Sequence, residues 1–176
     1  MAYYNLFVPL QAVAANVVYF DLFNASGSGA IVEVKSVIPV VSGATAVTGV
    51  LGVDIFLTKT TAVGTGGTAA TQEGTGLTTC TFSGHDNQQP LPALITARLT
   101  PTGGATAGGV LSWCSLSAEE TASTTYGNAP DMVCFDYDDC GFITLSANKG
   151  IRVVQGATAA LVGNIGFNVM FNVSAK

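Results

Sequence analysis

The chain predicts an all-β fold, a jelly-roll β-sandwich of about eight antiparallel strands with long loops and little or no helix. Three observations predict it. No long stretch places apolar residues at i, i+3, i+4 and i+7, whereas short runs with apolar residues at every second position recur along the chain. Clusters of Gly, Thr, Ser and Pro separate those runs. A length of 176 residues suits one domain built around one core.

Residues 1–16 read as an N-terminal arm or first edge strand, and residues 17–176 as a single jelly-roll domain. Tyr3, Tyr4, Leu6 and Phe7 precede Pro9 and make the start too apolar for a free tail. Either this segment docks as a strand on its own sheet or it grips a neighbouring subunit. VVYFDLF (17–23) then leads through NASGSG into AIVEVKSVIPV (30–40), where Val32 and Val34 alternate with Glu33 and Lys35. A Gly-containing turn joins these two strands. In VLGVDIFLTKT (50–60), Leu51, Val53, Ile55 and Leu57 share a dry face, and Asp54 and Thr58 a wet one.

The Thr/Gly/Ala stretch over 61–79 lacks usable periodicity and reads as a long loop with room for one short strand. LITARLT (94–100), VLSWCSLS (110–117), FITLS (142–146), GIRVVQ (150–155) and NIGFNVMFNVS (164–174) complete the strands. The last alternates most strictly. Ile165, Phe167, Val169, Phe171 and Val173 form a dry face that needs a second sheet as cover. Asn164, Asn168, Met170 and Asn172 form the other face, too polar for a core and too uncharged for a freely solvated strand. Neutral amides hydrogen-bond across an interface at little desolvation cost, so this face predicts contact with a neighbouring copy. An up-and-down barrel is the competing architecture, but it favours tight hairpins over connections this long.

Composition narrows the function. Charged residues make up 10% of the chain, against about 25% in an average soluble domain. Six basic and eleven acidic residues give a net charge of −5 with no cluster of Lys or Arg, which argues against nucleic acid. No apolar run reaches the ~18 residues of a membrane-spanning helix, so no membrane partner is expected. MAYYN carries no basic residue ahead of its apolar part, which predicts no secretory signal and synthesis in a cytoplasm. Cys80, Cys114, Cys134 and Cys140 match no zinc spacing. They read as separate, mostly buried thiols, with two disulfides as the arithmetic alternative.

Few residues suggest chemistry. Ser83, His85 and Asp86 name the types of a hydrolase triad but lie too close in sequence to adopt its geometry, and His85 is the only histidine. The segment 119–141 collects Glu119, Glu120, Asp131, Asp136, Asp138 and Asp139 without a basic partner. Asp136, Asp138 and Gly141 fall at positions one, three and six of a calcium loop, but Cys140 and Ala147 occupy places that require oxygen ligands. A non-standard site using Asp136, Asp138 and Asp139 is the residual metal candidate. Trp113 reads as core or interface packing, with sugar stacking as a minority alternative. The glycine-rich stretches lack the Lys of a phosphate loop. No catalytic residue and no cofactor is expected, and an enzyme is the least favoured class.

Two stretches, FNASGSGAIVEV (23–34) and GIRVVQGATAALVGNIGFNV (150–169), resemble the small jelly-roll structural proteins of tailed bacteriophages, and among them the capsid decoration (cement) proteins. Asn24, Ser28 and Gly29 match the turn joining the first two sheet strands, and Gly150 and Gly156 the glycine-bounded strand before the last. The resemblance implies a homotrimeric structural virion protein on the outer capsid surface, made in the host cytoplasm, whose partners are the major capsid protein and itself. It makes Tyr3, Tyr4, Leu6, Phe7, Asn164, Asn168, Met170 and Asn172 candidate contacts to the capsid or to another copy. The alternative is a jelly-roll module binding a glycan or receptor through the acidic 119–141 loop, with calcium as its candidate ion.

Overall fold

The computed structural model describes residues 2–42, 51–74, 78–86, 90–103, 107–118, 135–136, 141–157 and 164–175. Among these residues there are strands and no helix. In chain order they are β1 (Ala2–Ala12), β2 (Val18–Asn24), β3 (Ala30–Ser42), β4 (Leu51–Thr60), β5 (Thr68–Ala69), β6 (Thr71–Gln72), β7 (Thr81–Gly84), β8 (Ile95–Leu99), β9 (Ala107–Ala118), β10 (Phe135–Asp136), β11 (Ile143–Leu145), β12 (Lys149–Gln155) and β13 (Asn164–Ala175).

They form a β-sandwich of two sheets. One runs β10, β3, β13, β1, β7, β6, with β11 also on β3; the other runs β5, β8, β2, β12, β4, β9. Only the short β6–β7 pair is parallel. Each alternating strand turns its dry face to one shared core: Val32 and Val34 from β3, Ile55 and Leu57 from β4, Ile151 and Val153 from β12. The dry face expected of the last strand is buried throughout, from Ile165 to Val173. Phe167 reaches across to the second sheet, its ring centroid 5.3 Å from Tyr19 and 5.5 Å from Phe20. Phe171 packs 5.7 Å from Tyr4 and 6.1 Å from Phe82.

Of residues 2–16, Ala2–Ala12 dock as a strand on the chain's own sheet, one of the two expectations, but inside that sheet and not at its edge. β1 lies inside its sheet, paired with β13 along its length and with β7 over Tyr4–Phe7. The reason is visible in its side chains: Tyr4, Leu6 and Val8 are buried in the core, and that burial fixes β1 as a structural strand. The connection to β2 is pinned by Gln155 of β12. Its Oε1 accepts hydrogen bonds from the Tyr19 hydroxyl (2.6 Å) and the Ala14 N–H (3.1 Å).

β2 is buried on both faces, which hides the two-residue period a half-buried strand would show. The stretch between β4 and β9 supplies its outer cover. Asp21, 1% exposed, accepts the Gly64 N–H at Oδ2 (2.6 Å) and the Arg98 N–H at Oδ1 (2.9 Å). Gly64 must be glycine, since a Cβ there would overlap Asp21 Oδ2 and come within 2.7 Å of Pro101 Cβ. The stretch over 61–79 holds β5 and β6, and β7 follows it. These strands are short and rich in Thr and Gly, so backbone pairing marks them and hydrophobic pattern does not.

The turn between β2 and β3 is built as its residues suggest. Buried Asn24 donates through Nδ2 to the carbonyls of Ala30 and Leu145, both at 2.9 Å, which ties the turn to β11. Ser28 Oγ accepts the Ala30 N–H, and Gly29 takes a left-handed φ of 64°.

Candidate functional site

The core-facing side of β1, β13 and β3 leaves their opposite side as the outer face of that sheet. Register builds it row by row. Tyr3 pairs with Asn172, and Asn172 with Glu33; Asn5 pairs with Met170, and Met170 with Ser36; Phe7 pairs with Asn168, and Asn168 with Ile38. A register shift between Met170 and Phe171 lets this alternation pass a bulge in β3 at Lys35. The last row joins Gly166 to Val40, the latter 49% exposed.

Four of the expected contact residues lie on this face with accessible surface: Tyr3, Phe7, Asn168 and Met170. Tyr3 is 41% and Phe7 36% exposed, and Leu10 beyond them is more open still. Asn164 is half-buried at the start of β13. The other three correct the expectation. Tyr4 and Leu6 alternate inward and fill the core, so they offer nothing to a partner. Asn172 has the outward register but is 1% exposed, because it sits between Tyr3 and Glu33 in the middle of the sheet.

Residues that sequence reasoning did not associate complete the face. Lys35 Nζ lies 3.8 Å from the Phe142 ring centroid and 5.7 Å from that of Tyr3, a cation between two aromatic faces. Tyr3 in turn stacks on His85, with centroids 6.2 Å apart. The His85 backbone N–H donates to the Tyr3 carbonyl at 2.9 Å. Phe142, Lys35, Tyr3 and His85 thus line up across the sheet although they are remote in sequence. The only signals for this were single aromatic residues flanking strands, which carry no register.

Catalytic geometry does not assemble among the described residues. The His85 ring stacks on Tyr3, and a groove of about 350 Å3 is lined by Phe23, Val63, Phe82, Ile95 and Gln72 with Arg98 as its one charged side chain among the described residues. Cys80 is buried, and burial, with a further push from the Asp21 charge, raises its thiol to about 12. Such a thiol is a packing group and not a nucleophile. Cys114 is half-buried on β9. Among the described residues no three of His, Cys, Asp or Glu gather as metal ligands. Asp136 pairs through its backbone with Ser36, while Asp138, Asp139, Cys134, Cys140 and most of the acidic 119–141 segment lie outside the described residues. No described helix is long and apolar enough to cross a membrane.

Of the alternatives expected for Trp113, the structure removes core packing. The residue is 61% exposed on the outer face of the second sheet and takes no part in the core. No family model, curated protein or solved structure matches the chain.

Proposed function

We propose that this protein is a structural virion component, a capsid decoration protein that binds the outer capsid surface as a homotrimer and braces contacts between coat subunits. The outer face of β1, β13 and β3 carries the reading. It sets exposed Tyr3, Phe7 and Val40 among the neutral side chains of Asn168, Met170 and Ile38, with Glu33 and Lys35 as the charges of its rows. Exposed aromatic and apolar side chains gathered on one sheet face support an interaction site there. Neutral amides among it give hydrogen bonds without stranding ions that would need desolvation.

The jelly-roll assignment belongs to the same proposal, and strand order supports it. With the short strands β5 to β8 and β10 set aside, one sheet reads β1, β13, β3, β11 and the other β2, β12, β4, β9. Successive strands then cross between sheets, and only β4 and β9 follow each other within one, an order that supports two nested Greek keys. Capsid and lectin domains both use that architecture, so the fold is compatible with the function without selecting it.

The experiment is a native mass measurement followed by co-sedimentation with empty capsids of the encoding phage. A trimer that pellets with capsids is expected. Phe7→Asp, which puts a charge on the exposed face, should abolish pelleting while leaving the melting temperature within a few degrees. A monomer that remains in the supernatant overturns the reading.

A further inference from the structure

Trp113, the chain's single tryptophan, stands on β9 with most of its surface open to solvent. Its register partner is Phe56 on β4, and the two ring planes lie within 20° with centroids 6.3 Å apart. One side of the indole is thereby backed by a second ring. Gly156 makes room for that ring, since a Cβ there would come 3.0 Å from Phe56 Cε2. The row continues through Val154 on β12 to Val18 on β2, so an apolar strip crosses four strands.

Polar rows border the strip. On one side Asp54 pairs with Ser115; on the other Thr58 pairs with Arg152. Arg152 Nε donates to Thr58 Oγ1 at 3.3 Å, which holds the guanidinium beside the strip.

We propose that Trp113 and Phe56 form a stacking platform for a neutral pyranose unit of a polysaccharide. A pyranose has an apolar C–H face and a rim of hydroxyls that both donate and accept. The ring pair matches the face, while Asp54 as acceptor, Arg152 as donor and the hydroxyl of exposed Ser115 match the rim; buried Thr58 serves to hold the guanidinium. A wholly apolar protein surface seated here would have to desolvate Asp54 and Arg152. A net charge of −5 disfavours uronate or sulfated polymers, which selects a neutral one. This site is on the opposite sheet from the proposed capsid face and stands independently of that reading.

Because the indole is unique, its fluorescence reports on the platform alone. Purified protein is titrated with laminarin, hydroxyethylcellulose and galactomannan, with alginate as the anionic control, and retardation in polysaccharide-containing gels is measured in parallel. The expected result is a saturable emission change and protection from acrylamide quenching with a neutral polymer and none with alginate. Trp113→Ala should weaken retardation by about tenfold at an unchanged melting temperature, and Trp113→Tyr should recover part of it. Emission indifferent to every neutral polymer overturns the proposal, as does retardation that survives Trp113→Ala. Shielding of the indole that depends on protein concentration alone would show a second copy as the occupant and overturn it too.

Discussion

Two side chains show how differently buried residues hold this sandwich. Phe167 contributes shape: it touches Tyr19 and Phe20 of the facing sheet, so Phe167→Ala should lower unfolding free energy by about 3–5 kcal/mol in urea titrations through lost transfer energy and a cavity. Asp21 contributes direction, anchoring Gly64 and Arg98 through two backbone N–H groups. Burial raises its carboxyl above the ordinary value of about 3.9, outweighing the lowering by those N–H groups and by the Arg98 charge. The native state therefore holds the Asp21 proton to a higher pH than the unfolded chain does. Asp21's contribution strengthens the fold as pH falls through the window just above the ordinary carboxylate value, and weakens it as pH rises. Asp21→Asn should remove that slope. It should also cost about 1–3 kcal/mol at pH 7, because its amide N–H2 must face one of two backbone donors. Urea melts of both proteins at pH 5 and pH 7 check slope and offset together.

Among the elements, β1 changes most between pattern and structure. Tyr4, Leu6 and Val8 point inward while Tyr3 and Phe7 point outward, so apolar residues on both faces erase the alternation that identified β13. β2 escapes the pattern for the complementary reason, a second covered face. β3, β4, β12 and β13 were legible because water wets one side of each. The candidate face was legible along β13 and along the start of the chain. Its remaining members, Ile38, Val40, Lys35 and Phe142, join it through register, and no local spacing encodes register across separate strands. The position of β1 also has a consequence for truncation. Deleting residues 2–8 would strip one edge of β13, uncover β7 and empty the core of Tyr4 and Leu6. The shortened protein should be aggregated or melt far below the full chain, by more than about 10 °C if it is recovered. Differential scanning fluorimetry on the soluble fraction measures this. A truncation that melts like the parent would return β1 to the role of a detachable arm.

At the scale of the whole molecule, the two outer faces have different chemistry. One presents amides and aromatic residues with Lys35 set between rings; the other presents the Trp113 strip beside buried Asp21 and its arginine neighbours, Arg98 and Arg152. A sparsely charged sandwich thus has two outer faces of different chemistry, and composition alone does not separate them because both draw on the same few residue types. The place of β13 adds a constraint of another kind. It lies between β1 and β3 and is the last of the described strands to be made. On a ribosome, β1 and β3 emerge early but have no hydrogen-bonded route to each other until β13 arrives. Until β13 is made, β1 and β3 each keep one unpaired strand edge, the condition under which nascent chains stick to one another. In the order of the described strands, this sheet therefore closes only when β13 joins β1 to β3, a pairing of high sequence separation.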